Sequence, residues 1–221
     1  MHRRMTLSVL AVSVMLTGMS CVNRSDVGAP PPIPTAESLN GGVGDGGADD
    51  ESVLVRLETS KGDIDIAVHP AWAPNGSARF LELVEIGFYD DCRFFRVLPN
   101  FMAQVGISGD PNVHAKWGEN TIQDDPVVES NQRGYVTFAK SGLPNSRSTQ
   151  FFINFKDNSR LDSDRFSPFG RVVSGMDVAL SLTSQYGETP SQPAITQNGN
   201  AYLNSQYPNL DFIKKAYVVQ E

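Results

Sequence analysis

The stretch RFFRVLPNFMAQ, residues 93–104, sets two arginines among phenylalanines and ends in Phe-Met-Ala-Gln. If it forms strands, side chains alternate between two faces, so Arg96 lies on one face and Arg93 on the other. Neither face then has the composition of a plain core. The stretch therefore holds a charge that core packing alone does not explain.

The residues before this stretch predict a β-hairpin followed by a helix. Segment 52–69 alternates apolar and polar residues on both sides of Lys61-Gly62, as in two antiparallel strands joined by a tight turn. Segment 73–87 has apolar residues at helical spacing, with Asn75 as the expected N-cap and Gly87 as the stop. The domain is therefore expected to open with antiparallel sheet and one amphipathic helix.

Short β-rich segments dominate the rest of the chain. A second helix is expected at residues 174–186 with Ser174 as its cap. Many short strands, two helices and no strand-helix-strand alternation predict a mainly β fold, a closed antiparallel barrel capped by two α-helices. Segments 110–133 and 186–210 are long for connectors. The predicted strands cover residues 92–98, 101–107, 134–140, 150–155, 169–173 and 214–219.

The composition is that of an acidic globular protein. The 221 residues include 18 Lys and Arg against 25 Asp and Glu, a net charge of −7, and 40% are hydrophobic. Such a chain is long enough for extensions and one domain with a real core, assigned to residues 52–221. Because no dense basic run follows the N-terminus, we expect no nucleic-acid partner.

The N-terminus predicts export from the cytosol. Residues 1–20 join a short basic start to an apolar run that is too short and too interrupted to span a bilayer, the pattern of a secretion signal. Residues 21–51 are rich in Gly, Pro, Asp and Ser and lack apolar periodicity. We expect them to form a disordered tether.

Two outcomes of signal cleavage stay open. Cys21, preceded by the small Ser20, resembles the lipidated cysteine of a bacterial lipoprotein, although Gly18 stands where an aliphatic residue is usual. In the other outcome, an ordinary signal peptidase leaves a soluble mature chain with a free cysteine. A lipid on Cys21 would make residues 21–51 a leash between a membrane anchor and the domain.

Residues typical of metal or cofactor chemistry are scarce. Beyond the signal, the histidines are His69 and His114, which lie far apart without neighbouring cysteines or paired acids, and a lone histidine is usually a surface residue. No phosphate loop, nucleophile elbow or paired-cysteine motif is present. We therefore expect no cofactor and no metal. Cys92 lies in a predicted strand and is expected to be a small core residue without a disulfide partner.

Three blocks of the chain, in this order, carry a family pattern. They are FFRVLPNFMAQ at residues 94–104, GYVTFAKSGLPNSRSTQFFINF at 134–155 and LDSDRFSPFGRVVSGMDV at 161–178. Together they resemble the cyclophilin family of peptidyl-prolyl cis/trans isomerases, and the first block is very improbable by chance. With the hairpin and helix, the resemblance covers roughly residues 52–182. It implies that family's barrel and its activity on Xaa-Pro bonds.

By this resemblance the catalytic residues are Arg96 and Gln104. Rotation about an Xaa-Pro amide faces a barrier of about 18–20 kcal/mol because resonance gives the C–N bond double-bond character. In the twisted transition state the prolyl nitrogen regains a lone pair, so a fixed cationic donor binds it better than in the planar ground state. Arg96 is the expected donor. Gln104 is expected to orient Arg96 and to contact the substrate backbone.

The resemblance also assigns a substrate-binding cleft and its proline pocket. The matching positions are Phe101, Met102, Ala139, Lys140, Gln150, Phe152, Leu161 and Phe166. Taken singly, the apolar residues among them are better explained as barrel core, and only the joint order and spacing of the whole set indicates a site.

The chain departs from the family pattern beside this cleft. Residues 104–110, QVGISGD, hold extra residues where the family has Gln-Gly-Gly-Asp, and Lys140 replaces a common Asn. Arg160 stands where cyclosporin-sensitive members have Trp, so weak cyclosporin binding is expected. Phe166 replaces a common pocket histidine, so the proline pocket is expected to be more aromatic than usual.

These observations predict a monomeric, extracytoplasmic isomerase of proline-containing polypeptides, in the cell envelope or periplasm. It is held at the membrane only if Cys21 is acylated and is otherwise soluble and secreted. One alternative is a non-catalytic chaperone or assembly module that binds proline-containing segments, and another is a structural envelope lipoprotein. Arg96, Gln104 and Phe152 favour catalysis, whereas the altered loops favour a specialised binder.

Overall fold

The computed structural model describes residues 51–220. The predicted signal at residues 1–20, Cys21 and the predicted tether up to residue 50 lie outside the described residues. Within the described part of the chain, no helix combines the length and the apolar composition needed to cross a bilayer.

Residues 51–220 form eight strands. They are β1 (Val53–Thr59), β2 (Gly62–Val68), β3 (Arg96–Leu98), β4 (Met102–Val105), β5 (Tyr135–Phe138), β6 (Phe151–Asn154), β7 (Pro168–Ser174) and β8 (Ile213–Val218). All pair antiparallel in one sheet, in the order β3-β4-β6-β5-β7-β2-β1-β8. The mainly β, antiparallel prediction is therefore confirmed. The predicted hairpin is confirmed as well, since β1 pairs with β2 and Thr59 lies opposite Gly62.

The sheet curls into a half-barrel, so the predicted closure of the barrel is overstated. Within the described residues, the edge strands β3 and β8 share no ladder, and a single bridge between Arg93 and Phe212 links the chain beside them. The outer edge of β3 already has a partner, because the Val97 N–H donates to the Gly187 carbonyl at 3.1 Å. A residue from outside the sheet thus binds a backbone donor on the outer edge of β3.

The described chain has four α-helices, two more than predicted. They are α1 (Pro74–Glu85), α2 (Pro111–Trp117), α3 (Met176–Leu180) and α4 (Gln192–Gln206), with a 3-10 turn at Ser159–Leu161. Both predicted helices are present, but the second, 174–186, is shortened to α3 because Ser174 is the last residue of β7. The additional helices, α2 and α4, lie in segments 110–133 and 186–210, which the sequence predicts only as long connectors. Gly199, with φ of 55°, interrupts α4 and obscures its helical pattern.

The first helix ends where the sequence predicts but starts differently. Gly87 adopts a left-handed φ of 70° after the last turn of α1, as expected of a stop. Asn75 is not the N-cap, since α1 begins at Pro74. The Asp125 carboxylate instead accepts the N–H groups of Asn75 and Gly76 at 3.0 and 2.9 Å. A distant acid therefore caps this helix.

An aromatic core fills the concave side of the sheet beneath α1. Phe80 of α1 packs against Phe151 and Phe169, with ring centroids 5.2 and 4.8 Å away. Cys92 belongs to the same cluster and is fully buried, as predicted, although it precedes β3 rather than lying in a strand. Burial raises the pKa of its thiol well above the usual range. Cys92 is thus a packing residue.

Arg147 ties the loop before β6 to the start of α1. Its side chain is 2% exposed, and Nη1 lies 3.0 Å from Oδ2 of Asp125, the acid that caps α1. A second acid, Asp124, lies 3.3 Å from Nε. Because Ser146 and Ser148 flank Arg147, this buried ion pair also fixes the loop beside the cleft described below.

We predict that Arg147→Met destabilises the fold by about 3–5 kcal/mol, because Asp125 is left as a buried charge without its partner. Urea unfolding followed by circular dichroism measures this change. Arg133→Met, at an exposed position, is the matched control and should leave the unfolding midpoint unchanged. A loss in Arg147→Met no larger than in the control would contradict the assigned role.

Candidate active site

One cleft of about 460 Å³ contains every residue that the sequence predicts as catalytic or substrate-binding. These residues come from strands β3, β4 and β6, from the turn between β3 and β4, and from the segments at residues 139–150 and 159–167. The structure confirms that these residues lie together, whereas their roles in catalysis and binding stay predictions. The predicted residues in the lining are Arg96, Phe101, Met102, Gln104, Ala139, Lys140, Gln150, Phe152, Leu161 and Phe166.

The register of three strands aligns the centre of the cleft. Arg96 on β3 lies opposite Gln104 on β4, and Gln104 lies opposite Phe152 on β6. Directly opposed residues of antiparallel strands project on the same face of the sheet. Met102, two residues before Gln104, shares that face. The sheet therefore presents a cation, an amide and apolar side chains as neighbours.

A chain of hydrogen bonds orients the Arg96 guanidinium. Its Nη1 donates to Oε1 of Gln104 at 3.3 Å. The Gln104 amide in turn donates from Nε2 to Oε1 of Gln150 at 2.9 Å. Gln104 is buried and Arg96 is about one-third exposed, with 30% of its side chain accessible. Gln104 is thus placed to orient the arginine, as the resemblance implies.

Glu188 is the charged residue of this site that the sequence did not reveal. Its Oε2 lies 3.0 Å from Nε and 2.9 Å from Nη2 of Arg96. It belongs to segment 186–210, whose length is the only signal in the sequence that could have drawn attention to it. The Arg96 guanidinium is therefore held by the carboxylate of a residue that lies far from it in the sequence.

Aromatic rings form the apolar part of the cleft. The rings of Phe152 and Phe166 meet edge to face with centroids 5.8 Å apart. The Lys140 ammonium lies 5.2 Å from the Phe166 ring centroid. A proline ring in contact with Phe152 would thus have a second aromatic wall beside a cation.

Phe101 lies between two guanidinium groups. The Arg96 group is 5.9 Å from its ring centroid and the Arg160 group is 4.9 Å from it. Arg160 is exposed, and its guanidinium lies over the Phe101 ring. The cleft rim therefore carries a stacked arginine where the related pattern has an indole.

Buried asparagines hold the backbone of Phe101 and Phe166 beside the cleft. Asn158 donates from Nδ2 to the Phe101 carbonyl at 2.9 Å, and Asn131 donates from Nδ2 to the Phe166 carbonyl at 2.7 Å. Asn131 also donates to Asp162. Partial burial alone would raise the pKa of Asp162, but hydrogen bonds from Ser130 and Asn131 outweigh it and lower that pKa. These bonds keep the pocket walls in fixed positions.

The remaining lining residues are small or polar and come mostly from loops, where neither periodicity nor the family pattern marked them. They widen the cleft beyond the predicted set and place several hydroxyl groups within it. They are Gly118, Ser141, Ser146, Ser148 and Gln192.

Neither His69 nor His114 lines this cleft. Both are buried rather than on the surface, which corrects the expectation for lone histidines. His69 stacks on Trp72 with centroids 3.9 Å apart. Burial lowers the pKa of His114. Within residues 51–220, no group of three or more His, Cys, Asp or Glu side chains is arranged to hold a metal ion.

Comparison with known sequences identifies one family. The family model described as cyclophilin type peptidyl-prolyl cis-trans isomerase/CLD matches residues 54–200. A peptidyl-prolyl cis-trans isomerase of Acinetobacter baylyi is 34% identical over 154 residues, which are 64% of this chain and 81% of that relative. Peptidyl-prolyl cis-trans isomerase A of Dickeya dadantii is 34% identical over 159 residues, 66% of this chain and 83% of that relative.

Comparison with solved structures identifies the same fold. A cyclophilin type peptidyl-prolyl cis-trans isomerase of Cryptosporidium parvum superposes with a TM-score of 0.60 at 22% identity, covering 77% of this chain and 99% of that one. Cyclophilin AquaCyp293 of Hirschia baltica gives a TM-score of 0.54 at 26% identity, covering 76% of each chain. The half-barrel and its helices are therefore similar in fold to solved cyclophilins.

Proposed function

Because the chain belongs to the cyclophilin-type peptidyl-prolyl cis-trans isomerase family, we propose that its Arg96 cleft catalyses Xaa-Pro rotation in proteins that fold outside the cytosol. The isomerase activity follows from the family. The assignment of residues and the location of the clients are the proposed parts. The arrangement of Arg96, Gln104 and Phe152 in one cross-strand row carries the assignment to this cleft.

Arg96 supplies the interaction that differs between ground state and transition state. In a planar amide the prolyl nitrogen shares its electrons with the carbonyl and accepts no hydrogen bond. When the bond twists, the nitrogen regains a lone pair that a guanidinium N–H can contact. Since this contact exists only in the twisted state, it lowers the barrier instead of merely tightening substrate binding.

The apolar walls strengthen this interaction and hold the ring. Phe152 and Phe166 exclude water from one side of the cleft, and a drier surround increases the attraction between the cation and the lone pair. With the proline ring fixed, rotation is confined to the residue on the other side of the amide bond. A hundred-thousandfold acceleration needs about 7 kcal/mol, which positioning and preorganised electrostatics can supply without a covalent step.

The extracytoplasmic location rests on the N-terminal sequence. Residues 1–20 have the pattern of a secretion signal, and Cys21 follows them at the position of a lipidated cysteine. The composition of residues 21–51 suits a leash between an anchor and a domain. An isomerase that needs no nucleotide also suits a compartment without ATP.

A second function, binding of proline-containing segments with little turnover, is favoured by the cleft rim. Lys140 and Arg160 are stacked on cleft aromatics, and neither has an ion-pair partner among residues 51–220. Such fixed cations add contacts to a bound polypeptide without adding a donor at the reacting nitrogen. Catalytic rate and affinity must therefore be measured separately.

We predict that Arg96→Ala lowers kcat/KM for an Ala-Pro-Phe peptide by about a hundredfold or more, because the transition-state donor is lost. NMR exchange spectroscopy on the cis and trans signals measures the rate, and titration measures peptide affinity, which should fall only slightly. Arg133→Ala, an exposed arginine outside the cleft, is the control. Equal rates in both variants would remove Arg96 from the mechanism, and equal rates with and without wild-type protein would favour the binding module.

We predict that the mature protein carries a diacyl or triacyl group on Cys21 and fractionates with membranes. Intact mass spectrometry of protein purified from a bacterial host measures the adduct. Cys21→Ser should remain in the soluble fraction with its isomerase activity intact. An unmodified N-terminus on a soluble wild-type protein would refute the lipid anchor and leave the secreted form.

A further inference from the structure

Segment 186–210 is packed against the strand that carries Arg96. A separate hydrophobic cluster joins this segment to the sheet, and its rim consists of Tyr186, Tyr202 and Tyr207. Phe95, which directly precedes Arg96, is 1% exposed within this cluster. Packing of the segment and placement of the arginine are therefore coupled. The buried members of the cluster are Phe95, Ile107, Ile195, Leu203 and Leu210.

A tight turn aims one residue of this segment at the cleft. The Val97 N–H donates to the Gly187 carbonyl at 3.1 Å, which fastens the turn to the edge of β3. Gly187 has φ of 57°, a left-handed conformation that favours glycine. The Thr189 N–H closes the turn on the Tyr186 carbonyl at 3.0 Å. The side chain of the residue between Gly187 and Thr189 is thereby directed at Arg96.

That residue is Glu188, and it occupies a defined edge of the guanidinium. A guanidinium has five N–H donors in a fixed plane. Glu188 Oε2 accepts from Nε and lies 2.9 Å from Nη2, while Gln104 accepts from Nη1. Within residues 51–220, Gln104 and Glu188 are the side chains in polar contact with Nη1 and Nη2, so at least one N–H on each of these nitrogens remains for the substrate.

We propose that Glu188 is a positioning residue for the isomerisation: it holds the Nε edge of Arg96 so that the free Nη donors face the prolyl nitrogen. This inference rests on the proposed role of Arg96 and deepens it. The charge-assisted hydrogen bond from Nε to Glu188, with Nη2 in ion-pair contact with the same oxygen, fixes the rotation of the guanidinium plane, which a single bond to Gln104 leaves free. Glu188 acts through Arg96 and has no contact with the reacting bond.

The exposure of the pair separates this role from fold stability. The side chains of Glu188 and Arg96 are 63% and 30% exposed, and ion pairs this accessible contribute little to folding. The turn itself is fastened by backbone bonds and by packed tyrosines. Removal of the Glu188 carboxylate should therefore leave the fold intact and change only the orientation of the Arg96 guanidinium.

The first test separates kcat from KM in three variants by NMR exchange spectroscopy over a range of Ala-Pro-Phe peptide concentrations. Glu188→Ala should lower kcat about tenfold with KM within about twofold, because orientation is lost while the pocket is unchanged. Glu188→Gln keeps an acceptor without the charge and should fall between it and the wild type. Glu85→Ala, an exposed acid on α1, should match the wild type. A kcat in Glu188→Ala equal to or above that of the wild type would overturn the proposal.

The second test asks whether the effect passes through Arg96. In an Arg96→Ala background, adding Glu188→Ala should cause no further loss of rate, because there is no guanidinium left to orient. An additional loss of about tenfold in that background would show that Glu188 acts elsewhere and would refute positioning.

A spectroscopic measurement tests the positioning role of Glu188 independently of the function proposed for the cleft. The Arg96 Nε–H resonance should shift and exchange faster with water in Glu188→Ala than in the wild type, whether or not the protein turns over peptide. An inactive wild type with this shift would count against the function proposed for the cleft. An Nε–H resonance that Glu188→Ala leaves unchanged would overturn the positioning role.

Discussion

The cross-strand alignment of Arg96, Gln104 and Phe152 is the constraint on which the site depends. Each residue comes from a different strand, and only the register of β3, β4 and β6 brings them onto one face. Since a slip of one residue moves every side chain of a strand to the opposite face, pairing of the sheet and assembly of the cleft are the same event. Stability of the sheet is therefore also the condition for placing Arg96 beside Gln104 and Phe152.

Elements outside the sheet then fix what the register brings together. The Arg147 pair with Asp125 holds the loop at residues 139–150 against the start of α1, and buried asparagines hold the carbonyls of Phe101 and Phe166. On the other side, segment 186–210 takes the free edge of β3 and supplies a carboxylate to Arg96. The cleft is thus enclosed by groups whose positions are set before any substrate binds, as electrostatic catalysis requires.

The parts of this structure that follow from the sequence are those set by local pattern. Alternation around Lys61-Gly62 predicts the hairpin, and the order of residues 94–104 brings Arg96 and Gln104 into one site through the family pattern. The sequence does not predict features that depend on residues far apart in the chain or on a local break in a helix. The acid that caps α1 replaces Asn75 from fifty positions away, α4 is broken by Gly199, and Glu188 reaches Arg96 only because Gly187 pairs with β3. None of these three features produces a periodic pattern in the sequence.

The role proposed for Arg96 requires that its guanidinium contact the prolyl nitrogen only when the amide is twisted. The most direct measurement is the on-enzyme rate of cis/trans exchange in Arg96→Lys, obtained by NMR line-shape analysis together with the affinity for each isomer. Lysine keeps the charge but loses the planar fork of donors. We expect an on-enzyme rate lowered by about a hundredfold, with both affinities within about threefold of the wild type. A wild-type rate in Arg96→Lys, or a rate that falls only in proportion to affinity, would contradict that role.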